Sequence, residues 1–435
     1  MALGTRRQQD CFLGIDLGTS GVRCIAIDAD GAIRAEARAA LPGSSRPADG
    51  HSEQDSADWW QATGTAIRGL LKEKPGRVRA LCADGTSSTL LLCDAAGRPT
   101  GPALMYDDRR ATAQAAAIAA VAPADSPTRS ASSTLAKLLY LLETHPNRDA
   151  QTAVHQADWI NGRLTGRFGI TDENNALKLG YDPLRRRWPA WLRQLPLDSA
   201  LLPRVVPVGT PLGSIAEGTA RQLGLPADTL VIAGTTDSNA ATLAAGAERP
   251  GDAVTSLGST LVLKVVSDVP VSAAQYGIYS HRIGDHWLVG GASNSGGAIL
   301  RQYFDNDALA KLSARIDPER PSGLDYYPLT APGERFPIND PEKPARLTPR
   351  PADDVAFLQG ILEGIARIEA DGYALLARLG TPVPRRILSS GGGAGNPVWT
   401  RIRQRLLGVP VLAATHTEAA YGAAQLARRG AAGLR

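Results

Sequence analysis

Little in this chain points to a disulfide frame, a zinc centre, a membrane anchor or a nucleic-acid partner. Four cysteines occur in 435 residues: Cys11, Cys24, Cys82 and Cys93. All lie in or beside apolar, strand-like segments of the first quarter, and none forms a Cys-x-x-Cys pair. They read as reduced core thiols of a cytosolic protein. No apolar run approaches the roughly 20 residues that span a bilayer. Met1 to Asp10 is polar, without the apolar stretch of a secretory signal. These absences point to a soluble, cytoplasmic protein. Charge of one sign is also missing: the net charge is +4, with both signs interspersed. That balance argues for no nucleic-acid partner, although a basic rim would suit an anionic substrate. Lysine is scarce while alanine, glycine and arginine abound, in keeping with a GC-rich genome. The six histidines are scattered, and none stands in a triad order with Cys or Ser. At 435 residues the chain exceeds one typical domain, so two are expected.

The stretch Phe12 to Asp28 organises the rest. Phe12 to Ile15 and Val22 to Ile27 are short apolar strands, and between them lies Asp16-Leu-Gly-Thr-Ser-Gly21. A hairpin tip with two glycines and two hydroxyls can bring backbone N–H groups close to an anion. Asp16, leaving the first strand, is a candidate metal or hydroxyl partner beside that anion. Taken alone, the stretch is equally a Gly-rich turn with a satisfied surface aspartate. A second copy follows at Ala253 to Asp268, where Leu257-Gly-Ser-Thr260 lines up with Leu17-Gly-Thr-Ser20. Two such hairpins suggest two similar halves facing a shared polyphosphate; chance similarity of a few small residues competes with that reading.

Between the hairpins the pattern alternates. A strand is expected over 32–37 and a helix over 55–74, capped by Asp55 or Ser56. Strands follow at 78–83 and 90–94, then helices at 111–121 and 135–143, the latter ended by His145-Pro146. A helix is expected over 154–164, a polar site-like loop at 171–178 and a short helix at 188–195. Pro203 to Gly213 reads as an extended crossing between domains. Strand 230–233 delivers Gly234-Thr-Thr-Asp-Ser-Asn-Ala240, with a helix over 240–246. Strand 286–290 precedes a helix opened by Ala292-Ser-Asn-Ser-Gly-Gly297. Residues 317–351 are Pro-rich and loop-like. The longest helix spans 353–379, with Phe357, Ile361, Leu362, Ile365 and Ile368 at helical spacing. Strand 385–389 runs into Gly391-Gly-Gly-Ala-Gly-Asn396. A helix at 399–407, a strand at 410–413 and a helix at 417–429 complete an α/β chain with mixed sheets.

Ligands of α/β proteins gather at the loops that follow strands. Gly391-Gly-Gly-Ala-Gly-Asn396 can let a flat ring lie on bare backbone. No Gly-Lys-Ser/Thr follows it, so it is not a P-loop, and it fits a dinucleotide fingerprint poorly. Asp237 is the candidate general base: a carboxylate in a strand-to-helix turn can take a proton from a bound hydroxyl, and the helix N-terminus favours negative charge there. On its own, without the other loops, it reads first as a structural N-cap. Asp84-Gly-Thr-Ser87 suits hydrogen bonding to a polyol, or is simply a turn. Asp107, Asp108 and Arg109 form either a pocket wall or an exposed charge cluster.

Four stretches then carry a family. Asp16-Leu-Gly-Thr-Ser-Gly-Val-Arg23, Gly234-Thr-Thr-Asp-Ser-Asn239, Leu257-Gly-Ser-Thr260 and Ser389-Ser-Gly-Gly-Gly-Ala-Gly-Asn396 resemble, in order, the motifs of the FGGY carbohydrate kinases. Lys137-Leu-Leu-Tyr140, Asp158 to Gly166, Thr171 to Ala176 and Glu418 to Ala423 add weaker support. The resemblance implies two actin-like, ribonuclease-H-like α/β domains around a central ATP and sugar cleft. The first, sugar and phosphate side, would cover 11–229, and the second, nucleotide side, 230–435. It implies ATP and Mg²⁺ as cofactors and a small-molecule sugar as partner, in a monomer or homodimer. Asp16 and Asp237 would be the metal-side carboxylates. Gly18, Thr19 and Ser20 would face the transferred phosphate, with Arg23 in support. Gly258, Ser259 and Thr260 would form the second phosphate loop, and Gly296, Gly392, Gly393 and Asn396 would hold the nucleoside. Asp237 would be the base.

Xylulose kinases usually carry Met-His-Gly where this chain has Asp84-Gly-Thr-Ser-Ser-Thr89, and Trp within the segment that reads Met105-Tyr-Asp-Asp-Arg109. The chain instead resembles the compact subgroup similar to D-ribulose kinases, in which Asp16, Ser87 and Asp237 would contact the ketopentose beside Asp84. D-ribulose is therefore the expected substrate, with D-xylulose or another polyol as alternatives. A rival of another class is a non-catalytic actin-like ATP and sugar sensor; the intact Asp237 argues against it.

Overall fold

The computed structural model describes residues 9–144 and 150–433. The chain folds as two compact units: one runs to Ala244 and resumes at Glu418, and the other is Ala245–Thr417. The division thus falls after residue 244 and not at 229/230, and the C-terminal segment belongs to the first unit. The reason is packing. Helix Ala419–Ala432 lies against strand Asp10–Leu17 and against helix Asp237–Ala244. Its first turns are alanine and glycine, and the fit is close. A Cβ on Gly14 would stand 1.8 Å from the Ala420 carbonyl oxygen, and one on Gly422 would stand 1.9 Å from that of Ala240.

The first unit is built on a six-stranded sheet. Its order is Pro211–Ser214, Leu230–Ile232, Arg77–Gly85, Asp10–Leu17, Gly21–Ile27, Ile33–Ala40. Strand Asp10–Leu17 pairs antiparallel with Gly21–Ile27 and parallel with Arg77–Gly85, which pairs parallel with Leu230–Ile232. Alternation along the first strand places Cys11, Leu13, Ile15 and Leu17 on one face, where they form a core with Trp59, Ile67 and Leu70 of helix Ser56–Lys72. Asp55 caps that helix by accepting from the Ala57 N–H. The opposite face, with Gly14 and Asp16, is the one that helix Ala419–Ala432 approaches. A small four-stranded sheet and helix Thr134–Thr144 add a second core in this unit. The helix reaches Thr144, and its expected stop at His145-Pro146 lies outside the described residues.

Three local expectations differ from what is observed. Residues 203–213 do not cross between units; they form strands Arg204–Val206 and Pro211–Ser214 inside the first. The segment expected to be helical from 154 begins as strand Thr152–His155, because its β-branched start pairs with Leu90–Cys93, and turns helical at Gln156. Residues 188–195 wind only as a short 3₁₀ stretch, Ala190–Gln194.

The second unit repeats the core pattern. Strand Asp252–Leu257 pairs antiparallel with Leu261–Ser267 and parallel with Arg386–Ser390, and the sheet order is Tyr279–Ile283, His286–Ser293, Leu261–Ser267, Asp252–Leu257, Arg386–Ser390, Val411–Ala413. Helix Asp354–Arg378, capped by Asp353, supplies Phe357, Ile361, Ile365 and Ile368 to the core. The Pro-rich segment 317–351 lacks regular structure, yet it plugs the same core with Tyr326 and Phe336. A fully buried polar network ties the layers together. Arg403, on helix Pro397–Leu407, donates through Nε and Nη2 to the two oxygens of Glu369 at 2.6 and 2.7 Å, and through Nη1 to Ser389 Oγ at 2.7 Å. Thr255 Oγ1 donates to Glu369 at 2.6 Å and meets Tyr373 Oη at 2.7 Å.

Two stability outcomes follow from this packing. Arg403→Met strands a buried carboxylate and should cost about 3–5 kcal/mol, whereas the double variant with Glu369→Leu should recover most of it; urea midpoints followed by tryptophan fluorescence check both. Gly422→Ala should destabilise by roughly 1–3 kcal/mol through overpacking, seen as a lower melting temperature with parallel loss of activity, because the displaced helix carries Asp237.

Candidate active site

In the first unit, the strands Asp10–Leu17, Arg77–Gly85 and Leu230–Ile232 run parallel, so their C-terminal ends share one edge. Asp16 is registered with Asp84. The chain leaves the third strand through Gly234 to Thr236, a bridge joins Thr236 to Gly85, and Asp237 opens helix Asp237–Ala244. Three carboxyl groups distant in sequence thereby act on one another. Asp16 and Asp237 are half-buried and Asp84 is 0% exposed.

Neither oxygen of Asp84 receives a hydrogen bond of conventional geometry from a described residue. Burial first, then the charges of Asp16 and Asp237, push Asp84 well above the usual carboxylate range. Burial, with the Asp237 charge second, raises Asp16 to about 6, against a hydrogen bond from Asp84 and the charge of Arg23. Both facts fit a protonated Asp84 donating to Asp16. The Ser238 N–H donates to Asp237 Oδ1 at 2.6 Å. Behind this turn, Asn174 Nδ2 donates to Thr235 Oγ1 at 2.9 Å, so the polar loop at 171–175 supports the turn that carries Asp237.

The first hairpin tip is held from inside. Leu41 N–H donates to the Ser20 carbonyl at 2.9 Å, and Gln54 Nε2 to the Thr19 carbonyl at 2.8 Å. Carbonyls turned inward leave the tip amide of Ser20 facing outward, because C=O and N–H of one peptide plane point oppositely. Gly18 donates to the Gly21 carbonyl at 3.0 Å. Arg23 is paired across the hairpin with Asp16 in register and makes an ion pair with Glu418. Ser87 is half-buried in the turn that follows Asp84-Gly85. That turn is anchored by Gln156, whose Oε1 accepts from Thr86 N–H at 2.9 Å and Thr86 Oγ1 at 2.7 Å. Asp107 and Asp108 are spoken for: Asp107 pairs with Arg46 at 2.6 Å, and buried Asp108 pairs with Arg110 at 2.7 Å and accepts from Ser52 N–H. Among the described residues no three or more His, Cys, Asp or Glu side chains converge tightly enough to enclose a metal ion. Two half-buried carboxylates are nevertheless the donor set that fits Mg²⁺, which keeps most of its waters and binds through one or two carboxylates plus substrate phosphates.

In the second unit, a cleft of about 560 Å³ lies among Gly258 and Ser259 at the hairpin tip, Gly297 and Arg301, helix Asn306–Ser313, and Gly392, Gly393 and Asn396. Here too the tip carbonyls are consumed: those of Gly258 and Ser259 accept from Gly297 and Ala298 N–H at 2.8 and 3.1 Å. A Cβ on Gly296 would meet the Ser259 oxygen at 2.7 Å, so this contact needs glycine. Thr260 sits in the same tip, in the turn before strand Leu261–Ser267. A Cβ on Gly393 would strike the Trp399 ring at 2.4 Å, while Gly392 and Gly395 have nothing within 4 Å of theirs and leave bare backbone towards the cleft. Asn396 lines the cleft, but its amide is committed. Oδ1 caps helix Pro397–Leu407 by accepting from Val398 and Trp399 N–H, and Nδ2 donates to Ser313 Oγ at 2.9 Å.

Sequence reasoning missed two polar residues of these sites, Arg301, whose Nη2 donates to Ser259 Oγ at 2.8 Å, and Gln156, and it noted Lys137 only within a family-like stretch, with no role. Arg301 carried a signal, an arginine one turn beyond the Gly-Gly that opens a helix. Gln156 carried none, since it stands at an unforeseen strand-to-helix junction.

Residues 11–244 match the N-terminal domain, and residues 253–431 the C-terminal domain, of the "FGGY family of carbohydrate kinases". The chain is 30% identical to the xylulose kinase of Streptomyces coelicolor over 92% of its length and 83% of that protein. It is 26% identical to the xylulose kinase of Escherichia coli K12 over 96% of its length and 89% of that protein. The solved structure of a "xyloylose kinase" from Brucella ovis superposes with a TM-score of 0.87 at 26% identity, covering 97% of this chain and 91% of that one. Motifs, paired sheet topology and full-length matches coincide: the chain belongs to the FGGY family of carbohydrate kinases, ATP-dependent sugar kinases of actin-like α/β fold.

Proposed function

We propose that the protein phosphorylates D-ribulose to D-ribulose 5-phosphate, with Asp237 as general base. The carrying observation is the edge of three parallel strands on which Asp16, Asp84 and Asp237 gather. Asp237 stands at a helix N-terminus with the Ser238 N–H on one oxygen, so its carboxylate is oriented and its charge is favoured. From there it takes the proton of the sugar hydroxyl as that oxygen attacks the γ-phosphorus of ATP in line. Asp16, held beside it, orients the same hydroxyl, and Ser87 hydrogen-bonds the sugar. Outward amides at each hairpin tip are donors for phosphate oxygens. Asp16 and Asp237 would hold Mg²⁺ through water, which when bound neutralises phosphate charge. The four buried free thiols support a reducing, cytoplasmic setting.

The choice of D-ribulose rests on the turn after Asp84. D-ribulose and D-xylulose differ only in configuration at C3, and the turn that carries Met-His-Gly in xylulose kinases here offers the small hydroxyl of half-buried Ser87. D-xylulose is the second reading, favoured by the names of the relatives.

A coupled ADP-release assay over ketopentoses, pentitols and glycerol should show Mg²⁺-dependent turnover highest with D-ribulose, abolished by chelation. Asp237→Asn should lower kcat by about 10²–10⁴-fold with KM for ATP nearly unchanged. No sugar-stimulated ADP release from the wild type would sink the kinase mechanism, and D-xylulose ahead of D-ribulose would replace the substrate. Asp16→Asn should abolish turnover yet raise the melting temperature. The folded pKa of about 6 exceeds the ordinary value of about 3.9. The native state therefore holds the proton longer, and stability falls as pH rises between those values. The variant's advantage should be small near pH 4 and full above pH 7, as read from melting curves across that range.

A further inference from the structure

Helix Thr134–Thr144 is a core helix: Leu135, Ala136, Leu138, Leu139 and Leu141 are buried against Leu90, Leu92 and Leu104. Lys137 interrupts that face and is itself 0% exposed. Its Nζ donates to two backbone carbonyls, Ser88 at 2.9 Å and Met105 at 2.6 Å, and no carboxylate lies within ion-pair distance among the described ion pairs. A buried ammonium without a counter-ion is expensive, and leucine or methionine would fill the same space at lower cost. Burial lowers its pKa to about 7, against the more distant charge of Asp108.

What the ammonium holds is informative. Ser88 sits at φ +68°, a left-handed conformation that a serine keeps only where its surroundings enforce it. The turn 86–89 is gripped on one side by Gln156 through Thr86 and on the other by Lys137 through Ser88. Between the two grips lies Ser87, and two residues upstream of Thr86 lies Asp84. The Met105 carbonyl opens the Tyr106 to Arg109 segment, so the same ammonium joins that segment to the turn.

We propose that Lys137 is a positioning residue for sugar recognition: it locks the Thr86–Thr89 turn so that Ser87 is presented in one geometry. This rests on the sugar-kinase reading above. Lys137 touches neither substrate nor phosphate in this role, so its loss acts on the sugar and not on ATP.

The test is Lys137→Met, one atom shorter and without charge, with Lys137→Gln as the substitute if the first does not fold. Expected are a melting temperature within a few degrees of wild type, KM for the preferred ketopentose raised about tenfold or more, and KM for ATP within twofold. The kcat/KM ratio between D-ribulose and D-xylulose should shrink towards one. Hydrogen exchange in peptides spanning 84–92 should quicken. Wild-type turnover with unchanged sugar KM, epimer ratio and exchange in a folded variant overturns the role of Lys137 and leaves the kinase reading standing. Equal rises in both KM values overturn it too, since they report general loosening. Absence of turnover in the wild type with every sugar overturns the kinase reading and this role with it.

Discussion

The edge on which Asp16, Asp84 and Asp237 gather is governed by a single electrostatic constraint: acidic side chains from three parallel strand ends share one corner of a sheet. Parallel register leaves no freedom here. Once Asp10–Leu17 pairs with Arg77–Gly85, Asp16 and Asp84 stand side by side on the same face. Burial and mutual repulsion push Asp84 well above the usual carboxylate range and raise Asp16 to about 6. A helix N-terminus behind Asp237 and the guanidinium of Arg23 across the hairpin moderate the rest. This is a corner arranged against stability, as active sites commonly are.

Both units hold their hairpin tips in the same way. Each opens with an antiparallel hairpin, and each turns the carbonyls of its tip inward to partners that keep them: Gln54 and Leu41 in the first, the start of helix Gly297–Tyr303 in the second. The partners are unrelated in sequence and topology. What recurs is the peptide-plane rule that an occupied carbonyl aims the neighbouring N–H outward. Small residues are the second shared device, for close approach beneath strand Asp10–Leu17 and for a bare platform at Gly392 and Gly395.

The elements with strong local signals were legible in the sequence. The two hairpins, the capped helix after Asp55, the long helix at 354–378 and the Gly-rich run all stand where patterning places them. The placement of Asp237 in a strand-to-helix turn was readable from strand 230–233 and the small residues around it. What escaped depends on contacts between distant segments. The extended run at 203–213 looks like a linker because proline and glycine dominate it; only pairing with Leu230–Ile232 makes it part of the first sheet. Tyr326 and Phe336 lie in a stretch whose composition says loop, and they are buried because a core needed plugs, not because of any period. The resemblance implies a nucleoside contact for Asn396, whose Oδ1 is taken by the helix cap and whose Nδ2 is taken by Ser313 Oγ. The separation of the final helix from its sequence neighbours has no local signature at all.

That helix carries a consequence for biosynthesis. Residues 419–432 are translated after the whole of the second unit, yet they cover the face of the first strand, where Gly14 leaves room for nothing else. The nascent first unit therefore leaves the ribosome with an open apolar face and with the Asp237 helix lacking its neighbour. It keeps that exposed surface for as long as the second unit takes to emerge, about 10–30 s at typical elongation rates. The second unit, continuous in sequence, is free to fold first even though it is made later. The last piece of the first unit is thus made after the whole of the second, and the first unit cannot close in the order in which it is synthesised.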